Sequence, residues 1–316
     1  MCLVALAIDQ DRRFPLVIAA NRDEYFERPA ARLAWWASET GTPEILGGRD
    51  LRDGGTWLGL TAAGRMALVT NIRRPGSVDP TAPSRGRIVP LWLRGDLSAD
   101  RFWMQAALSG HNPFNLIAAD FRRGECYWAS SDVPSPRRLD RGLYGLSNAG
   151  LDTPWPKVER LKEQLAQALP HCTSAQALSA RLFSALADRT QPDDAALPHT
   201  GVALEWERLL APAFIRTPDQ RYGTRCSTLI ITERINKRLV THVFERTFPA
   251  GGGLALLRQS TLRDWPPKYG EDSTATAESA PVSESEVTAS AEPAKRTRVR
   301  SLLKPEGKRR RAATTL

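Results

Sequence analysis

Two short apolar runs open the chain, residues 2–8 (CLVALAI) and 16–20 (LVIAA), with the polar stretch DQDRRF and Pro15 between them. Runs of this length are too short for helices, and a compact polar break between them predicts a β-hairpin. The constraint is strong, because a hairpin brings the end of its second strand beside the start of its first. Asn21-Arg22-Asp23-Glu24 follows LVIAA directly, so Arg22 and Asp23 are expected next to Cys2. The same four residues equally read as a solvated strand end.

Strand-like pieces recur at 56–61 (TWLGLT), 65–72 (RMALVTNI), 115–121 (NLIAADF), 126–130 (CYWAS) and 143–148 (LYGLSN). A second hairpin is predicted from 227–232 (STLIIT) and 239–244 (LVTHVF), turning about Asn236 and Lys237. Helical spacing appears at 157–169, where Val158, Leu161, Leu165 and Leu169 follow a Pro-Trp-Pro start, and again at 174–187. Shorter helices are expected at 88–94 and 100–108. The pieces come in blocks of strands and pairs of helices, without strict βαβ alternation. Antiparallel sheets covered by helices, an α+β fold, satisfy that order.

The formal net charge of +9 suggests a nucleic-acid partner until it is divided along the chain. Between 295 and 311 nine Lys or Arg stand against Glu306 alone, while 271–292 carries six acids and no base. This acidic and then basic piece holds too little apolar surface to repay chain ordering, so 266–316 is expected to be a disordered tail. Residues 1–265 then form the folded domain, with 34 basic and 28 acidic residues. A body so mildly charged, without a helix-turn-helix, OB or RRM signature, is expected to have no specific nucleic-acid partner. No apolar run reaches the roughly 18 residues of a membrane span, and no basic stretch precedes the first apolar run. The chain is therefore expected in the cytoplasm, with Cys2, Cys126, Cys172 and Cys226 as thiols. These cysteines form no CxxC pair and the histidines do not cluster, so neither a metal nor a cofactor is called for.

Cys2 is the residue most suggestive of chemistry. Its small side chain permits removal of Met1, after which the chain would begin with a cysteine bearing a free α-amine. A terminal amine titrates at about 7.7–8.0, close to working pH, so one residue would supply both nucleophile and base. The plainer alternative is a small apolar residue at a strand start. A guanidinium from Arg22 would favour the thiolate, and the Asp23 carboxylate would hold the amine. Asn71 and Asn148, each ending a strand-like piece, carry neutral amides able to donate to a developing oxyanion, although asparagine also suits any turn. Arg225, in YGTR, brings a further cation to a strand start. The glycine-dense GGRD and GGTWLG segments lack phosphate-loop spacing and read as a tight turn beside a site.

Taken in order, Cys2, NRDE, GGRD, GTWLG, TN, SRG (Ser84-Arg85-Gly86), LSN, YGTR and FER resemble the NRDE family over residues 2–250. The eukaryotic members of that family are called transport and Golgi organisation proteins. The family is similar in turn to N-terminal nucleophile hydrolases of the penicillin V acylase, bile salt hydrolase and acid ceramidase branch. That resemblance implies a four-layer αββα sandwich. Cys2 matches the nucleophile, Arg22 and Asp23 the arginine and aspartate beside it, and Arg225 the late arginine. Asn71 and Asn148 match the positions that steady the oxyanion or the amine. In the acylase branch two residues separate the arginine from the aspartate. Here they are adjacent, which on one strand turns them to opposite faces.

Two functions follow from these residues. One is an amidohydrolase acting on linear N-acyl compounds through Cys2. The other is a carrier that binds haem or an acyl chain in the same cleft, as the family's links to lipid, acyl-CoA and haem handling imply. Nine tryptophans, Trp35-Trp36 among them, and many arginines would suit an amphipathic ligand bearing carboxylates.

Overall fold

The computed structural model describes residues 2–37, 41–267 and 280–287. Six strands come first: β1 Cys2–Ile8, β2 Leu16–Tyr25, β3 Ala30–Trp35, β4 Leu46–Asp50, β5 Leu58–Leu60 and β6 Arg65–Asn71. Helices α1 Ile88–Arg94 and α2 Ala99–Ala107 follow, then β7 Phe114–Asp120, β8 Glu125–Ser130, β9 Arg137–Arg138 and β10 Gly142–Leu146. Helices α3 Pro156–Ala168, α4 Ala175–Leu186 and α5 Leu204–Leu210 precede β11 Tyr222–Ile235, β12 Arg238–Thr247, β13 Ala255–Arg263 and β14 Ser283–Val287. The strands form two seven-stranded sheets, β10-β1-β2-β11-β12-β13-β14 and β3-β4-β5-β6-β7-β8-β9, with every strand pair antiparallel.

Three apolar layers stack these elements. On β1 and β2 the pleat sends Leu3, Ala5, Val17 and Ala19 toward α3 and α4, where Val158, Leu161, Leu165, Leu178 and Leu182 meet them. The alternate residues Val4, Leu6, Ile18 and Ala20 face the second sheet and pack on Leu46, Leu60, Met66 and Leu68. The outer face of that sheet, through Ala67, Val69 and Leu116, is covered by Val89 and Trp92 of α1 and Phe102 and Trp103 of α2. The layer order is αββα. It also explains why the first two runs are continuously apolar, since strands covered on both faces have no solvent side to make polar.

The helices begin where local chemistry allows. Pro156 occupies the first turn of α3, where a missing N–H leaves nothing unsatisfied. Ser174 caps α4 by accepting from the Ala177 N–H (3.2 Å), and the buried Glu233 carboxylate accepts from the Ala175 N–H (3.0 Å). At the far end of α1 the Arg65 guanidinium donates to the carbonyls of Trp92 (2.7 Å), Gly95 (2.5 Å) and Leu97 (2.7 Å), and its Nε to Asp120 (3.1 Å). That arginine takes one orphan carbonyl of the helix and two from the turn beyond it, and anchors α1 to the sheet.

Several boundaries differ from the sequence expectation. β2 does not stop at Ala20 but runs through NRDE to Tyr25, because β11 pairs with it as far as Tyr25 opposite Tyr222. GGRD is part of strand β4 and not a loop, and β3, β13 and α5 were not predicted. The predicted hairpin turn holds, with Asn236 and Lys237 both at positive φ. Within the expected tail, β14 pairs with β13, and Glu284 reaches Arg258 (2.9 Å) and Arg32 (2.9 Å). Residues 268–279 and 288–316, including the basic tract at 295–311, lie outside the described residues. Among the described residues no helix is long and apolar enough to cross a membrane.

Two expectations follow. Leu165 is fully buried between α3 and the first sheet, so Leu165→Ala should cost about 2–5 kcal/mol, read as a lower urea midpoint at unchanged slope. Lys157, on the same helix, is buried with its Nζ donating to the Leu210 carbonyl (2.8 Å). Burial pushes its ammonium down from 10.5 to about 8. Between those values the unfolded chain binds the extra proton, so this group makes stability rise with pH through the window. Lys157→Met should remove that contribution, and superimposable stability curves for the two proteins across that window would refute it.

Candidate active site

The β1–β2 register pairs Cys2 with Arg22 and Leu3 with Asn21, as the hairpin predicts. The Cys2 thiol, half-buried, lies 3.9 Å from the Val69 carbonyl of β6 in the facing sheet. Its side chain therefore shares the inter-sheet side with Val4 and Leu6. Burial pushes the thiol up, Asp23 and Glu24 add to that, and Arg22 opposes it. The Cys2 carbonyl accepts from the Ser147 hydroxyl (2.9 Å), which ties the start of β1 to the segment after β10.

Arg22 and Asp23 do face opposite ways. Arg22, 6% exposed, lays its guanidinium 4.4 Å from the centre of the Trp57 ring, with Glu24 at 3.8 Å. Among the described residues its Nη1 has no hydrogen-bond partner. Trp57 itself sits where Gly48 leaves room, since a Cβ on Gly48 would come within 2.3 Å of the indole. Asp23 is 1% exposed on the other face, where its Oδ1 accepts from the Thr224 hydroxyl (2.7 Å). Thr224 is oriented for this by accepting from the Ile215 N–H (2.9 Å). Burial raises the Asp23 carboxyl, and the Lys157 ammonium on the helix side opposes the rise. Asn21, one residue earlier, is structural, donating to the carbonyls of Leu186 and Ala213 (2.8 Å each).

A cavity of about 320 Å³ opens at this end of the sandwich. Cys2, Arg22, Asp23, Glu24, Trp57 and Asn71 line it, with Arg85 from the loop before α1. Arg28, on its rim, is held by Asp50 (2.5 Å) and Asp53. Asn148 and Arg225 do not line it. The Asn148 amide donates to the Asn71 carbonyl (2.8 Å), so it stands behind Asn71. Arg225 is the bulged residue between Thr224 and Cys226, and its Nη1 donates to the carbonyls of Tyr25 (2.7 Å) and Arg28 (2.8 Å). It braces the turn that carries Arg28. The structure thus brings four of the six expected residues, Cys2, Arg22, Asp23 and Asn71, to one cavity and sets the other two behind its walls.

Ser147, Thr224, Trp57 and Arg85 were not singled out as site residues, although each lies inside a segment that stands out in sequence: LSN, YGTR, GTWLG and SRG. Their neighbours stood out as polar or charged residues at strand ends, whereas the contacts that define these four join segments distant in the chain. All four cysteines are free thiols, and Cys126 and Cys226 are buried with pKa values pushed up by desolvation. Among the described residues no three His, Cys, Asp or Glu side chains gather as a metal would require.

The sequence model of the Transport and Golgi organisation 2 family matches residues 1–250. A Transport and Golgi organization protein 2 homolog from Bos taurus is 33% identical over 255 residues, covering 74% of this chain and 89% of that protein. The Homo sapiens homolog is 33% identical over 254 residues, with the same coverage of each chain. Among solved structures, an N-acylethanolamine-hydrolyzing acid amidase ortholog from Caenorhabditis elegans superposes with a TM-score of 0.40 at 13% identity, covering 73% of this chain and 92% of that one. The C2A mutant of a conjugated bile acid hydrolase from Clostridium perfringens does so with a TM-score of 0.41 at 10% identity, covering 78% and 89%. By the family match over residues 1–250 and by its identity to these relatives, the chain belongs to the Transport and Golgi organisation 2 family.

Proposed function

We propose that the cleft hydrolyses linear amides of N-acyl compounds, with Cys2 as the nucleophile after Met1 is removed. The observation that carries this reading is the Cys2 thiol lying in a 320 Å³ cavity with the Arg22 guanidinium and the Asp23 carboxyl on the paired strand. Removal of Met1 would give Cys2 a free α-amine within reach of its own sulfur. That amine, neutral in part near pH 8, takes the thiol proton as Sγ bonds to the amide carbon. Asn71, lining the cavity, is the side-chain amide available to the developing oxyanion, and Asn148 positions it through the carbonyl. The α-ammonium then protonates the leaving nitrogen, the C–N bond breaks, and a thioester remains on Sγ. Water, losing its proton to the same amine, attacks the thioester and frees the acid and the thiol. Asp23, fixed by Thr224, would orient the amine, and Arg22 would favour the thiolate.

A carrier of lipid or haem would need an extended apolar wall. Here the cleft is lined by Arg22, Glu24, Arg52 and Arg85, and its rim by Arg28 with Asp50 and Asp53, which favours amide chemistry on a polar substrate.

The purified native protein should lack Met1, and limiting iodoacetamide at neutral pH should alkylate Cys2 ahead of Cys126, Cys172 and Cys226 in peptide maps. In a screen of N-acyl amides, Cys2→Ala should abolish turnover while leaving the thermal midpoint unchanged. Undiminished turnover in that variant would end the proposal. Asp23→Asn, which keeps the shape but releases the amine, should lower kcat by about 100-fold. Turnover of the native protein should rise from pH 6 to about 8 as the α-amine loses its proton.

A further inference from the structure

The loop from Ile72 to Arg87 arches over the cavity and is fastened from one side. The Asp79 N–H donates to Asn112 Oδ1 and the Asn112 amide donates back to the Asp79 carbonyl (2.7 Å each). Its far end is locked onto GGTWLG. The Thr56 N–H donates to the Gly86 carbonyl (3.0 Å), and a Cβ on Gly55 would come within 2.2 Å of that same oxygen. Only glycine at 55 permits this approach, so the GGTWLG and SRG segments form one clamp, and the residue it holds over the cavity is Arg85.

Arg85 differs from its neighbours in how it is satisfied. Arg28 has two carboxylates, and Arg22 has the Trp57 face and Glu24. Among the described residues, half-buried Arg85 has one hydrogen bond, to the Pro113 carbonyl (3.2 Å), and no ion pair. A guanidinium carries five N–H donors, so most of its capacity is open to the cavity. Burial lowers its pKa, the fields of Glu24 and Cys2 oppose that, and it stays charged.

We propose that Arg85 is a specificity residue that binds a carboxylate on the ligand, so that the cleft takes small anionic molecules whose carboxylate lies close to the group facing Cys2. This deepens the hydrolase reading and rests on it for the scissile bond, which would then belong to an amide bearing an acid. A forked guanidinium held rigidly by the clamp matches a carboxylate with two parallel bonds, and an ammonium does not.

Paired alkylating agents test this on the full-length protein without a known substrate. Iodoacetate and iodoacetamide both lose iodide to the Cys2 sulfur and differ in a carboxylate. The ratio of their rate constants at Cys2 should exceed the ratio for glutathione in the same buffer by about tenfold, and Arg85→Gln should remove that excess. Arg85→Lys should keep the overall fold and part of the preference. An unchanged ratio in Arg85→Gln, or no excess in the native protein, overturns the proposal. If Cys2 reacts with neither reagent, the nucleophile reading alone falls. The anion site is then read by calorimetric titration of hippurate against hippuramide. Hippurate binding lost in Arg85→Gln supports it, and equal binding of both or of neither overturns it.

Discussion

The cleft depends on the pleat of β2, held between β1 and β11. A strand paired on both edges cannot rotate its residues, so Asn21 and Asp23 must face the helices while Ala20 and Arg22 face the other sheet. The adjacency of Arg22 and Asp23 is therefore a division of labour. One group reaches Trp57 and the inter-sheet side, the other reaches Thr224 and the side of Lys157, and Cys2 stands opposite the pair. The bulge at Arg225 lets β11 follow β2 through this point, and its guanidinium closes the turn beyond.

Burying charge costs several kcal/mol per ion unless bonds replace water, and the two kinds of arginine in this fold answer that cost differently. Arg65 spends its donors on three carbonyls and Asp120, stacked on Trp92 at 4.1 Å. Arg73 is bound to Glu207 at 2.6 Å, and Glu207 is itself fixed by Thr200. These arginines join layers. In the cavity, among the described residues, Arg22 Nη1 has no hydrogen-bond partner and Arg85 makes a single hydrogen bond. Unfilled donors at a cavity wall, where a ligand can reach them, are what a site that waits for a ligand requires.

Much of the fold was legible in local pattern. The helical spacing at 157–169 and 174–187 became α3 and α4 within a residue at each end, because an apolar stripe of that length has one way to be buried. Strands β3, β4 and β13 were missed because their sequences, AARLAW, LGGRD and ALLRQSTLR, lack a clean apolar alternation. Their pairing comes from neighbours, Gly47 in β4 lying opposite Gly59 of β5, and Arg258 in β13 reaching the Leu33 carbonyl of β3.

The sequence by itself determined that Cys2 would meet Arg22, since a hairpin register is local and the runs at 2–8 and 16–20 admit little else. It also carried the family: the resemblance drawn from GGRD, GTWLG, SRG and YGTR agrees with the family match over residues 1–250. Only the tertiary structure decided which of the six expected residues share a cavity, leaving Asn148 and Arg225 behind its wall and bringing Arg85 over it. The reason is that side-chain direction follows from pleat, bulge and packing between segments some 30 to 200 residues apart, as Gly55 meets Gly86 and Asp23 meets Thr224. No local pattern encodes such contacts.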